Sequence, residues 1–211
     1  MQLSRRHVMV GATALVGSAV AASAQRLVPT SSQDLGPFYP VLHPRDSDAD
    51  LTRVRGARGI AQGTPINVVG RLLDRRGNPV RGATIELWQA NAVGRYDHPG
   101  DTQSVGALDP NFQGYAMLAS DRDGNFKFRT IKPGAYKIPG DMRTPHIHLD
   151  IKGRSERLIT QMYFPGEALN DSDLLLKDAS PRESVIARSI DRLSGDPGAA
   201  AYGWDVVLAV G

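Results

Sequence analysis

The chain contains no cysteine. That excludes disulfides, thiolate metal sites and cysteine nucleophiles, so any metal must sit on His, Tyr, Asp or Glu. Excess charge is also scarce: 25 Lys and Arg against 22 Asp and Glu give a formal net charge of +3. Two of these positives, Arg5 and Arg6, lie in a leader-like segment, and +3 less these two is +1. No dense basic cluster interleaved with aromatics is present, so the chain makes no case for nucleic acid. Long apolar runs are missing as well. The one candidate, Val8 to Ala22, is about 15 residues of mostly Gly, Ala, Ser and Val, short of the roughly 20 needed to span a bilayer.

That run has the form of an address. Ser4-Arg5-Arg6-His7 precedes it and Ala22-Ser23-Ala24 ends it. A charged start, a short apolar stretch and an Ala-x-Ala end form a bacterial export signal, and adjacent arginines suit the twin-arginine route. Residues 1–24 are therefore expected to be a signal peptide. The mature protein is expected in the periplasm, with no stable membrane span once the signal is removed.

What is abundant is turn-forming residues, with 22 glycines and 14 prolines. Residues 25–65 carry Pro29, Pro37, Pro40 and Pro44 without periodicity, and read as an irregular arm. From Ile66 the pattern becomes strand-like. Ile66–Leu73, Ala83–Trp88, Tyr115–Ala119, Asn125–Thr130, His146–Ile151, Leu158–Phe164 and Gly203–Val210 are each short and bounded by turn residues. Asp121-Arg122-Asp123-Gly124 is a hairpin turn between two of them. The expected fold is all-β, a β-sandwich over residues 66–211 with the arm and one or two short helices. The clearest helix signal is Ser180-Pro181-Arg182-Glu183, a capping box followed by the stripe Val185, Ile186, Ser189, Ile190 and Leu193. It predicts a helix over Pro181–Leu193. Trp88 reads as a packing residue of the sandwich core.

The sharpest chemical feature is His146-Ile147-His148. Residues two apart on a strand share a face, so both imidazoles can reach one metal while Ile147 enters the core. Two histidines can equally share a polar patch, so the pair alone decides nothing. Arg143 precedes it by three residues. Tyr136 and Tyr96 lie in glycine-rich turns, Lys132-Pro133-Gly134-Ala135-Tyr136 and Gly94-Arg95-Tyr96-Asp97-His98. A phenolate is a hard anionic ligand suited to Fe(III). Two phenolates and a hydroxide would cancel the three charges of the ion, and bound iron would have to depress the tyrosine pKa far below about 10. Two other readings remain open at this point: a non-catalytic exported β-sandwich module, and a zinc or copper site built from His98, His146 and His148.

A set of motifs in fixed order goes further. Gly36-Pro37-Phe38-Tyr39, the run Gly82 to Asn91, Gly94-Arg95-Tyr96 and Leu108-Asp109-Pro110-Asn111-Phe112 come first. Phe128 to Gly134, Arg143-Thr144-Pro145-His146-Ile147-His148 and Gln161-Met162-Tyr163-Phe164 complete it. Over about Gly36 to Asp178 the chain resembles the intradiol ring-cleavage dioxygenases, most of all their protocatechuate branch. The resemblance implies Fe(III) held by Tyr96, Tyr136, His146 and His148. Arg143 and Gln161 become active-site residues, Tyr136 becomes the ligand that also serves as a base, and Tyr96 the ligand that stays. It implies a catechol-type substrate and O2, ring cleavage to a cis,cis-muconate type diacid, and a homo- or hetero-oligomer. A substituted catechol such as protocatechuate or hydroxyquinol is expected over bare catechol. Ile138 departs from the protocatechuate branch, which has an aromatic residue at that position. The loop Lys137–Met142 is also shorter than in that branch.

Overall fold

A computed structural model describes residues 26–210. The expected signal peptide, residues 1–24, lies outside them. Among the described residues, eleven strands, one short helix and one 3-10 turn follow in order: β1 Pro65–Asp74, β2 Thr84–Trp88, β3 Tyr115–Ala119, β4 Asn125–Ile131, β5 Tyr136–Ile138, β6 Asp141–Arg143, β7 His146–Lys152 and β8 Arg157–Tyr163. Then come α1 Leu174–Asp178, the 3-10 turn Arg182–Val185, β9 Arg188–Ile190, β10 Ala200–Gly203 and β11 Val206–Leu208. Among the described residues no helix is long and apolar enough to cross a membrane.

Two sheets pack face to face. In one, β1 pairs antiparallel with β4 and parallel with β10 and β11, and β9 extends it from β10. In the other the order is β3-β2-β7-β8, antiparallel throughout. The two-residue period sends Ile66 and Val68 of β1, Ile85 and Leu87 of β2, and Ile147, Leu149 and Ile151 of β7 into the space between the sheets, with Phe126, Phe128 and Met162. Fully burying side chains of this size is worth about 1.5–3 kcal/mol each.

β7 is unusual in being buried on both faces. His146, His148 and Asp150 point away from the core, yet each is at most 1% exposed. The cover comes from the irregular arm before β1. Its backbone is pinned across both sheets by Thr30 N–H to Val207 O, Gln33 N–H to Ile159 O and Leu51 N–H to Arg129 O, all 2.8–2.9 Å. The arm thus roofs a polar face of the second sheet, and the site lies under that roof.

Three expectations need correction. The helix over Pro181–Leu193 is absent: only Arg182–Val185 turns, as a 3-10 segment. Ile186 then bridges Tyr163, Ala187 N–H donates to Tyr163 O at 2.9 Å, and β9 pairs with β10. The stripe is rich in β-branched residues, which are weak helix formers, so strand pairing with tertiary partners wins. The closing strand is also broken at Trp204-Asp205, where Trp204 N–H donates to Val69 O, giving β10 and β11 in place of one run. Trp88 does not enter the sandwich core. It shares the outward face of β2 with Glu86 and joins a separate cluster with Phe38, Tyr96, Tyr115 and Tyr136.

Candidate metal centre and active site

Four elements bring the expected residues together. β7 supplies His146 and His148 on its outward face. The β5–β6 hairpin places Tyr136 opposite Arg143. β8 sets Gln161 beside His148 and Tyr163 beside His146. The turn after β2 supplies Tyr96. Asn91 shapes that turn by accepting from the backbone N–H groups of Val93 and Arg95 at 3.1 and 2.9 Å, and Tyr96 N–H is fixed by Asp101 at 2.8 Å. Gly94 is required here. Its φ is +77°, and a Cβ would stand 2.2 Å from the Ala135 carbonyl oxygen, so only glycine lets the two tyrosine-bearing turns meet.

The polar ends converge. His146 Nε2 lies 3.1 Å from His148 Nε2 and 3.3 Å from Tyr136 Oη. The Tyr96 and Tyr136 rings meet edge to face at 5.2 Å. His146 Nδ1 is 2.7 Å from the Thr144 carbonyl. A carbonyl only accepts, so this bond puts the proton on Nδ1 and turns the Nε2 lone pair toward the other donors. Tyr96 Oη and His148 Nδ1 are buried without any hydrogen-bond partner. Such groups are costly to leave unpaired, and Tyr96 Oη has a reason to be buried if a cation is to meet it.

Electrostatics sharpen the requirement. Burial, with Arg143 nearby, holds both histidines well below their ordinary pKa, so they are neutral donors. Burial, reinforced by the neighbouring Tyr136, pushes Tyr96 up, and burial likewise raises Tyr136 despite Arg143. Two phenols in so dry a site ionise only against a strongly charged cation. The donor set of two neutral imidazoles and two phenols thus fits a hard trivalent ion better than a divalent one.

Arg143 is 3% exposed. Burial opposes its charge, but Tyr136, Tyr163 and Asp173 more than offset this and hold it a cation. Its Nε donates to Asp173 at 2.9 Å, and its Nη2 donates to Gln161 Oε1 at 2.7 Å and Tyr163 Oη at 3.1 Å. Gln161 Nε2 in turn donates to the Asp34 carbonyl of the arm at 3.1 Å.

A family profile described as Dioxygenase matches residues 35–210. The protocatechuate 3,4-dioxygenase beta chain of Burkholderia cepacia is 40% identical over 184 residues, covering 84% of this chain and 74% of that one. The chain belongs to the intradiol ring-cleavage dioxygenases. The 6-chlorohydroxyquinol 1,2-dioxygenase of Cupriavidus pinatubonensis is 38% identical over 150 residues, 64% of this dioxygenase and 51% of the relative. Of that second relative the chain spans only about half the length. Among solved structures, the dioxygenase domain of a dioxygenase–carbohydrate-binding fusion from Streptomyces sp. SirexAA-E superposes with a TM-score of 0.66. It is 29% identical and covers 87% of this chain and all of that domain.

The dioxygenase does not bring His98 to the histidine pair as a metal cluster. His98 Nδ1 accepts from Gly100 N–H at 2.9 Å in its own turn. Among the described residues, no three His, Asp or Glu side chains form a metal-binding group. Sequence reasoning missed Asp173, which is fully buried. One carboxylate oxygen accepts from Arg143 Nε and from Thr144 N–H, both at 2.9 Å, and the other caps α1 through Leu176 N–H at 2.9 Å. Thr144 is the residue whose carbonyl orients His146, so one carboxylate steadies both the arginine and a histidine. Its only sequence signal was an aspartate before Leu174-Leu175-Leu176, a possible helix cap. The arm residue Gly36 was visible as a motif but not as a contact: at φ +77°, a Cβ there would stand 2.9 Å from His148 Cε1.

Proposed function

We propose that this dioxygenase uses Fe(III), held by Tyr96, Tyr136, His146 and His148, to open a substituted catechol between its two hydroxylated carbons. Both oxygen atoms of O2 enter the product, a cis,cis-muconate type diacid, so that catechol plus O2 accounts for every atom. The observation that carries the reading is the convergence of two imidazoles and two phenols, one with its hydroxyl buried and unpaired, beside a fixed arginine. Bound Fe(III) would supply Lewis acidity, ionising the catechol and drawing electron density from its ring so that a ring carbon becomes open to O2.

The chain's own residues do the rest. Tyr136, its Oη 3.3 Å from His146 Nε2, takes a proton from the catechol. Tyr96, whose hydroxyl is buried without a hydrogen-bond partner, stays in place. Arg143 presents a positive charge that cannot turn away, because Asp173, Gln161 and Tyr163 hold it from three sides; such a preorganised cation stabilises the negative charge that develops on the substrate. Trp88 stacks on His148 at 4.9 Å and 9°, fixing the ring plane. The arm keeps bulk water out. A relative named as a beta chain supports assembly into a homo- or hetero-oligomer, and the leader-like residues 1–24 support export to the periplasm by the twin-arginine route.

Iron loading of the purified protein tests the reading. Tyrosinate on Fe(III) absorbs visible light, so the loaded protein should be coloured and its spectrum should change on adding a catechol. A colourless protein holding one iron per chain would contradict the ligand set.

A further inference from the structure

The recess through which a ring substituent would project has a chemistry of its own. It is about 610 Å³ and opens beside Tyr136 and Arg143. Its apolar wall is Phe38, Ile138, Leu174 and Leu175. Lys137 and Arg143 are the Lys and Arg residues along it, with the acidic residues Asp34 and Asp141.

Neither cation is placed to receive an anionic substituent. Arg143 is held in place by Asp173, Gln161 and Tyr163 and serves the charge that develops on the reacting ring, so it is not free to follow a ring substituent. Lys137 borders the recess but lies between Tyr136 and Ile138 on β5, so strand alternation directs its side chain away from the Tyr136 face and it is exposed. Its hairpin partner Met142 is exposed with it, whereas Tyr136 and Arg143 form the buried pair. Ile138 shares the Tyr136 face, which puts a branched alkyl group beside the reacting ring. A carboxylate pointing this way would lose water, find no cation on the Tyr136 face that Asp173 does not already hold, and meet two acidic residues. An alkyl group would instead gain apolar contact.

Resting on the functional reading above, we infer that the substrate is a catechol bearing an uncharged, apolar substituent on the ring, and that Ile138, Leu174 and Leu175 select it. Carboxylated catechols are excluded by charge and not by size.

Two pairs of compounds differing only in ethyl versus carboxylate test this on the iron-loaded protein. The first pair, 4-ethylphenol and 4-hydroxybenzoate, cannot be cleaved and reports binding through tryptophan fluorescence. The second, 4-ethylcatechol and protocatechuate, reports kcat/KM by oxygen uptake. The ethyl member of each pair should be favoured by at least about tenfold. Ile138→Arg, which adds a cation to the wall, should shift both ratios toward the carboxylate by about tenfold. Equal or better binding and turnover of the carboxylates by the unaltered protein overturns the inference while leaving ring cleavage intact. Failure of every catechol to consume oxygen overturns the functional reading, and the inference with it.

Discussion

Replacing Asp173 by Asn should damage stability and catalysis together. The substitution keeps the shape but turns one carboxylate oxygen into an NH2 donor. Both oxygens now accept: one from Arg143 Nε and Thr144 N–H, the other from Leu176 N–H. Whichever way the amide turns, a donor faces a donor, and the Arg143 charge is left buried without its anion. Removing one partner of a buried ion pair costs about 3–5 kcal/mol. For a chain of this size 1 kcal/mol moves Tm by about 2–4 °C, so Tm should fall by about 6–20 °C. Arg143→Ala should cost less stability, because Asp173 keeps two backbone N–H donors. It should retain iron and colour but lose about 3 kcal/mol of transition-state stabilisation, roughly a hundredfold in kcat. The double variant should be less destabilised than the two single losses summed, by about 2 kcal/mol or more. Thermal unfolding of the four proteins with steady-state oxygen uptake provides the cycle. A fall in Tm under about 3 °C for Asp173→Asn, additive effects, or Arg143→Ala within twofold of the parent turnover would refute the reasoning.

The two tyrosines should separate in anaerobic visible titrations with a slow catechol analogue. Tyr136→Phe should stay coloured and form the substrate dianion slowly, whereas Tyr96→Phe should bind iron weakly and lose tyrosinate absorption in its substrate complex; the opposite pattern reverses the assignment. Glu86 fastens the arm, accepting from Tyr39 Oη at 2.6 Å and Lys152 Nζ at 2.6 Å. Despite burial, its hydrogen bonds and Lys152 hold it below its ordinary value of 4.5, so its stabilisation is complete above that pH and is lost as pH falls through the depressed value. Pepsin cleavage near the exposed Val41 and Leu42 should therefore rise steeply only below pH 4.5 in the parent and more gently in Glu86→Gln, and identical profiles would show that Glu86 does not hold the arm. Replacing Arg5 and Arg6 by Lys should block export, and normal secretion of that variant would exclude the twin-arginine route.

Strand positions were legible because alternation and turn residues carry them: Tyr115–Ala119 coincides with β3, and His146–Ile151 falls one residue short of β7. The shared face of His146 and His148 followed from the same two-residue period. What local pattern could not provide was the competition between local and distant partners. The capping box at Ser180 lost to pairing with Tyr163 and β10, and Trp88 followed its strand face to the outer side. Tyr96 and Tyr136 were suspected from their turns and assigned through resemblance. Spacing alone says nothing of how two glycine-bearing loops approach each other. Asp173 was hidden for the same reason, since its partners lie about thirty residues away in sequence.

The most direct test of ring cleavage between the hydroxylated carbons is mass spectrometry of the product formed from 4-ethylcatechol under isotopically labelled O2. A ring-opened diacid carrying both labelled atoms, one in each new carboxyl group, is the predicted result. A product with one labelled atom, or with the ring opened beside and not between the hydroxylated carbons, would contradict the account.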